Sequence, residues 1–548
     1  MEKKPGKKPL PQDIPTTPYY ADIPLTRLLL GVDNLRYDVF LSPGFSQAAS
    51  NFAFQLILKH SDASVPLQTK QKINWFVETD RFKTACTEVM TDAINQAKSA
   101  SEVQIDYLAQ AALVKKLIAE TENQYDCAIR HFKSVIRRHE VDYRTGTHLR
   151  LREEVFTIIQ KRSLIIQQAG AELFEYFLEA RQELNELRAI NFGADALLAE
   201  ELFSNPLLNA PYRPDDFFMI SNYVLTGYRL EDPLNYSTLI SLLKKFFTET
   251  GMAEQTEPDR IIKNPANMDL LFNFFDTRSL LYKEKKKRQP DTGRVKDLAA
   301  RSGAQKKMLQ MIYREFKREK LLECIVAVYE VPKIAQEYCP PLSPQELLQY
   351  LVVPRARKNI ARKVKRFKKY TGKKISLSRL KKARRFVRVS GEQKKKRLVR
   401  FLKDFAAYHR DLENYHLFNE KADCIYLAED DRTVRLSREN NTLYEFLFPK
   451  EHETGKHEIA GHVVIKADVR GSTEIIDRMK ARGLNPASNF SLNFFDPINR
   501  LLPRYGAHKI FIEGDAVILS IFEYATTPAR SYSVARACGL SVQMALLV

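Results

Sequence analysis

Two aspartates stand where carboxylates could hold divalent cations against a triphosphate. Asp468 ends the apolar run Val463-Val464-Ile465 in HVVIKADVRGST, and the turn Val469-Arg470-Gly471-Ser472-Thr473 then leads into the amphipathic stretch TEIIDRMKARG. A carboxylate at the end of a buried strand takes the cation. Free backbone N–H groups of a glycine turn and a helix N-terminus face the phosphates. Asp515 lies in AHKIFIEGDAVILSIF, where two apolar strands, His508 to Glu513 and Ala516 to Phe522, flank Gly514-Asp515 as a tight hairpin with an acid at its tip. If that hairpin packs beside the first strand, Asp468 and Asp515 converge and can hold two Mg²⁺ or Mn²⁺ ions. One ion would activate an attacking hydroxyl and the other would neutralise a departing polyphosphate.

Each of these residues also has a plainer account. Gly-Asp at a hairpin tip is common, so both aspartates could be ordinary turn residues. Arg470 could touch phosphate or lie solvated in its turn. Glu513, by strand alternation, reads as a surface acid rather than a third ligand. His452, His457 and His462 recur every five residues, which is no zinc signature, and a polar linker accounts for them.

The order strand, Asp-x-x-Gly-Ser-Thr, helix, second helix with Phe494, Ile498, Leu501 and Tyr505 at helical spacing, Tyr-Gly, strand, Gly-Asp-Ala-Val, strand resembles the N-terminal half of a class III adenylate/guanylate cyclase domain. The resemblance spans about residues 459–548 and rests on Ala467 to Thr473 and Gly514 to Val517. It implies a ferredoxin-like, cyclase-type α/β fold, with Asp468, Asp515 and the Val469 carbonyl as metal ligands and Arg470, Gly471, Ser472 and Thr473 along the triphosphate. It implies attack of the ribose 3′-hydroxyl of ATP or GTP on its own α-phosphate, with release of pyrophosphate. It also implies a homodimer through this domain. Where the family often carries a purine-reading Lys, four residues before its metal Asp, this chain has Phe511, and the nearest Lys is Lys509. The family's later base-contacting residue and its transition-state Asn and Arg fall beyond Val548, so the domain is expected to be partial here and the sequence to belong to a longer product.

The elements that must position this segment follow a long helical region. Residues 1–44 read as a basic, Pro-rich tail with some turn structure, and 45–285 as a helical region of unknown function. Tyr125, Ile129, Phe132 and Ile136, and again Leu173, Phe177, Ala180, Leu184 and Leu187, repeat at helical spacing. Residues 286–353 read as a further helical segment in which Ser343-Pro344 opens a helix. Residues 354–418 read as a highly basic helical segment and 419–456 as a small antiparallel β meander with a linker. Residues 457–548 are the cyclase-like part. The stripe Leu398, Phe401, Phe405, Tyr408, Leu412 reads either as a signalling helix pairing two protomers or as a core-facing helix.

Composition bounds the function. The chain has 548 residues, 44% of them apolar, with 32 Phe and 24 Tyr, which excludes wholesale disorder. No signal-like or membrane-spanning apolar run occurs, and six scattered cysteines form no zinc or disulfide pattern, so a cytoplasmic setting is expected. The net charge of +20 is local: Arg355 to Lys403 holds 23 Lys and Arg against one acid, Glu392, while the remainder has 64 bases against 66 acids. A run of that kind repels itself unless an anion accompanies it, so residues 355–403 are expected to meet a membrane surface, a nucleic acid or an acidic protein face. Phe367, Tyr370 and Phe386 interleave with the charges, as membrane-surface helices and single-strand binders both require. The expected function is cyclic-nucleotide signalling. The alternatives are a non-catalytic nucleotide-binding or dimerisation protein, and an anion-surface binder in which the basic segment dominates.

Overall fold

The computed structural model describes residues 16–64, 74–140, 147–209, 214–251, 257–371, 376–452, 459–486, 491–513, 515–524 and 532–547. The first part of the Pro-rich tail, the polar linker beyond His452 with His457, and Gly514 of the hairpin tip lie outside them. The chain is mostly helical with two small sheets. It forms two compact units, each assembled from two stretches: 1–22 with 199–417, and 23–198 with 418–548.

In the unit containing 23–198, four long helices pack on one another: Pro43–Ser61, Trp75–Ala100, Gln104–Glu140 and Arg162–Glu183. Ser42 starts the first, its hydroxyl accepting the Phe45 N–H at 3.0 Å ahead of Pro43. The expected stripes are buried, Phe132 and Phe177 completely, apart from Leu187, which is half-buried in the next helix, Asn185–Phe192. Two arginines lie among them. Arg188 donates through Nε and Nη2 to both Asp106 oxygens, at 2.9 and 3.1 Å. Arg181 donates to Gln110 Oε1 at 2.7 Å and to the Leu198 carbonyl at 2.8 Å.

A parallel sheet completes this part and corrects two expectations. Its strands are β1 (Tyr37–Leu41), β2 (Ile425–Leu427) and β3 (Leu443–Phe446), in the order β2-β1-β3 with both neighbours parallel to β1. Residues 37–41 therefore form a central strand rather than part of a tail. Asp38 is buried and accepts the Val32 N–H at 3.0 Å, and it lies so close to Gly31 that a Cβ there would sit 2.2 Å from its carboxyl carbon. The expected antiparallel meander is instead a strand, a helix (Asp431–Glu439) and a strand. Glu429-Asp430-Asp431, where a meander would turn, is a helix start, and Asp430 accepts the Thr433 N–H at 2.8 Å. β2 and β3 run parallel on either side of β1 and cannot be joined by a tight turn, so a crossover helix connects them.

The unit containing 199–417 is helical throughout its regular elements. Its core gathers Phe246, Phe272, Phe316, Leu347, Phe401 and Phe405. Ser343 and Glu346 close a reciprocal capping box on the helix Pro344–Val352. In the helix Gly391–Asp423, Leu398, Phe401, Phe405 and Tyr408 are buried, so the stripe faces a core within this unit. Beside it, Asp259 is gripped by Lys244 (2.7 Å), Lys263 (2.6 Å) and His409 Nε2 (3.2 Å), and the Tyr236 hydroxyl lies 2.7 Å from His409 Nδ1. Burial alone would raise the Asp259 pKa, but His409, Lys244 and Lys263 outweigh it and hold the carboxyl far below its usual range. A folded-state pKa below the unfolded one contributes stability above about pH 4, lost progressively as pH falls towards the folded value. Asp259→Asn is accordingly expected to be less stable than wild type by about 2–3 kcal/mol at neutral pH. It should also lack this acid-dependent loss, as followed by tyrosine near-UV circular dichroism during acid titration.

Candidate functional site

Residues 459–547 build a second sheet, β4 (Ile459–Asp468), β5 (His508–Glu513) and β6 (Ala516–Tyr524), in the order β4-β6-β5. β6 is antiparallel to both neighbours, so β4 and β5 run parallel with β6 between them, a split β-α-β. Alternation divides the faces. Val463, Ile465 and Ala467 lie opposite Ile521, Leu519 and Val517, and these pack with Ile498, Leu501 and Leu502 of the helix Asp496–Tyr505 and with Ala537, Leu540 and Met544 of Ser533–Leu547. His462, Val464, Lys466 and Asp468 point to the other, exposed face.

The register brings the two aspartates together. Asp468 pairs with Ala516, and Glu513 pairs with the same residue, so the ends of β4 and β5 meet the start of β6 with Asp515 one residue before it. Asp468 is exposed and Asp515 half-buried. The Ser472 hydroxyl, then the Asp515 backbone N–H, hold the Asp515 carboxyl below its usual range against a small opposing effect of burial. The Asp468 side chain lies within hydrogen-bonding reach of the Asp515 carboxyl. The side chain of Glu513 lies outside the described residues.

The glycine turn stands at the same end. Gly471 is the N-cap of the helix Ser472–Ala481 in the left-handed region (φ 72°), and it brings no side chain of its own to cap that end. A Cβ on Gly471 would meet nothing within 4 Å, so glycine is needed here for the backbone conformation and the space above it is open. The Val469 carbonyl accepts the Ser472 N–H at 3.3 Å and keeps its second lone pair. The next N–H groups, of Thr473 and Glu474, belong to the first turn, whose donors have no partner within the helix. Arg470 and Thr473 are exposed, Ser472 is half-buried, and Glu474 is engaged by Arg478 at 2.6 Å.

Two carboxylates, a hydroxyl and a backbone carbonyl are hard oxygen donors, the set that Mg²⁺ and Mn²⁺ prefer, with phosphate oxygens and water completing the shell. The side chains fit such an ion as a partial site only. Among the described residues no group of three or more His, Cys, Asp or Glu gathers for a metal.

Phe511 is 55% exposed on the face that carries Asp468. The register shifts between Lys509 and Phe511, so Lys509 pairs with the buried Leu519 on the helix-covered side while Phe511 pairs with Ile518. Burial pushes the Lys509 pKa down. The pairing Lys466, Ile518, Phe511 runs straight across the sheet, so Lys466 on β4 shares the face of Phe511 on β5 with the width of β6 between them. Alternation from Asp468 could have found Lys466. The bulge that turns Lys509 away leaves no mark in the sequence.

The sequence did not single out the groove of about 520 Å³ along the Trp75–Ala100 helix, lined by Asp80, Thr84, Thr87, Glu88, Thr91 and His452 among others, with no residue from 459–548. There His452 Nε2 lies 2.9 Å from Asp92 Oδ1. All six cysteines are free thiols, and no helix among the described residues is long and apolar enough to cross a membrane. No family model, no curated protein and no solved structure matches this chain.

Proposed function

We propose that residues 459–548 bind a nucleoside triphosphate with divalent cations as a partial, ferredoxin-like class III cyclase domain, and that the protein serves cyclic-nucleotide signalling. The observation that carries this reading is the meeting of the Asp468 and Asp515 carboxyls at one sheet end, beside a helix N-terminus and an open glycine turn. Like-charged carboxylates in contact are unfavourable unless a proton or a cation lies between them.

In this reading Asp468, Asp515 and the Val469 carbonyl hold Mg²⁺ or Mn²⁺. The Gly471 turn and the first N–H groups of the Ser472–Ala481 helix receive phosphate oxygens, Arg470 adds positive charge, and Lys466 and Phe511 border the base. When bound, the cations lower the pKa of a 3′-hydroxyl and neutralise a leaving pyrophosphate. The reaction forms a 3′-oxygen bond to the α-phosphorus of ATP or GTP and breaks the bond to the β-phosphate bridge, giving cAMP or cGMP. Active sites of the family form between two such domains, so a homodimer belongs to the proposal.

Titration calorimetry with ATP and GTP in the presence of Mn²⁺ tests it, together with an assay for cyclic nucleotide. Wild type is expected to bind one of them only with the cation, and Asp468→Ala to weaken binding by about 100-fold, near 2.7 kcal/mol. Undiminished binding by Asp468→Ala ends the reading. Cation-dependent binding without cyclic product would favour the second reading, a non-catalytic nucleotide-binding or dimerisation module, for which the partial donor set speaks.

A further inference from the structure

The basic stretch is a folded part of the unit containing 199–417, and its side chains separate by type. Ile360 and Val364 of the helix Arg357–Thr371, Leu380 and Ala383 of Ser378–Phe386, and Val387 just beyond are buried in that unit's core. The cations are left outside. Among the described residues Lys365, Arg366, Lys381, Lys382, Arg384 and Arg385 are exposed and make no ion pair. Later in the stretch the unit supplies acids: Lys394 pairs with Glu323 (3.4 Å), Arg397 with Glu330 (3.8 Å) and Lys403 with Asp269 (2.5 Å). Among the described residues of 355–388 the ion pairs are Lys363–Glu346 and Arg379–Glu337, both at 2.7 Å. Excess charge therefore concentrates on two helices.

We propose that the face made by the Arg357–Thr371 and Ser378–Phe386 helices binds the phosphodiester backbone of a nucleic acid. Arg357 donates through Nε to the Tyr350 carbonyl (3.0 Å) and through Nη2 to the Leu351 carbonyl (3.2 Å), which fixes its fork in place. Arg384 and Arg388 stand near enough to it to add to the effect of burial in lowering its pKa. Guanidiniums brought together with no acid among them fit an anion with discrete, forked acceptors, as a phosphodiester presents. A bilayer fits this face less well. Membrane-surface helices sink an apolar side below the headgroups. Here the apolar side is already spent on the core, and one large apolar residue of the two helices, Phe386, is 54% exposed. Phe367 is half-buried, and the side chain of Tyr370 lies outside the described residues. This inference is independent of the nucleotide site at Asp468 and Asp515.

The test is fluorescence anisotropy of a labelled single-stranded RNA and a labelled duplex DNA across a salt series with the full chain. Co-sedimentation with phosphatidylcholine–phosphatidylserine vesicles runs in parallel. The variant Lys381→Gln/Lys382→Gln/Arg384→Gln/Arg385→Gln removes four exposed cations that bond to nothing in the unit, so its circular dichroism should match wild type. It is expected to weaken oligonucleotide binding about 10- to 100-fold and to flatten the slope of log K against log salt by about 3. Lys394→Gln/Lys396→Gln/Lys403→Gln, whose cations have acid partners, should stay within about twofold. RNA rather than DNA, or the reverse, identifies the strand. No oligonucleotide binding by wild type, equal weakening in both variants, or loss of vesicle binding alone overturns the proposal.

Discussion

Asp106→Ala is expected to destabilise the unit containing 23–198 by about 3–5 kcal/mol, because it strands a guanidinium in the interior. The side chains of Arg188 and Asp106 are 3% and 1% exposed, and both arginine-to-carboxylate bonds are lost together. Arg188 also donates through Nη1 to the Arg181 carbonyl at 3.0 Å, and Gln110 donates to Asp106 at 2.7 Å while accepting from Arg181. Losing Asp106 therefore leaves one charge and one amide donor without their acceptor, and neither can reach water. The chain's single tryptophan, Trp75, begins a helix of this same unit. Its fluorescence in urea reports this unit, and the midpoint should fall with the slope unchanged. Asp106→Leu/Arg188→Met should recover part of the loss, since it removes the stranded charge while the Gln110 amide and the Arg181 carbonyl still lose a partner. A single-variant loss below about 1 kcal/mol would contradict the description of this pair as a buried, mutually dependent one.

The parts of the structure legible in the sequence are those in which local spacing decides the outcome. Tyr125, Phe132 and Phe177 repeat at helical intervals, and all are buried. Ser343-Pro344 marks a helix start whose capping box is present. The strands β4, β5 and β6 could be read because they lie within about 65 residues of one another, each with an alternating or apolar pattern, whereas their order with β6 in the middle could not. β1 could not. Its hydrogen-bonding neighbours begin at Ile425 and Leu443, and no local pattern near Tyr37 carries that distance. Glu429-Asp430-Asp431 misled for a related reason: the residues that turn a hairpin also cap a helix, and parallel pairing with β1 decided between them. At the candidate site the sequence held the identities of Asp468, Gly471, Ser472 and Asp515. The bulge between Lys509 and Phe511, the Ser472 contact to Asp515 and the row from Lys466 to Phe511 are properties of register. The basic run shows the same division. Its charge was visible in composition, but which cations keep acid partners depends on Glu323, Glu330 and Asp269, brought near by folding.

Asp515→Asn is expected to act in opposite directions with and without cation, which separates a shared ligand pair from two turn residues. Asparagine keeps the size and turn-forming capacity of the aspartate and loses its charge. In a chelator, removing one of two touching carboxylates relieves repulsion, so β4 and β6 should be as protected as in wild type or slightly more. With Mn²⁺ and nucleoside triphosphate at about 100 times the dissociation constant, wild type should gain about 2.7 kcal/mol of protection. The variant should gain almost none. Hydrogen exchange of peptides covering Ile459–Asp468 and Ala516–Tyr524 reads both arms, because those strands pair along their whole length. A turn aspartate held by Ser472 alone gives another pattern: its loss weakens the hairpin in the chelator, and the response to Mn²⁺ is the same in both proteins. Two carboxylates that gather a cation must repel each other in its absence, and this sign reversal belongs to that arrangement alone.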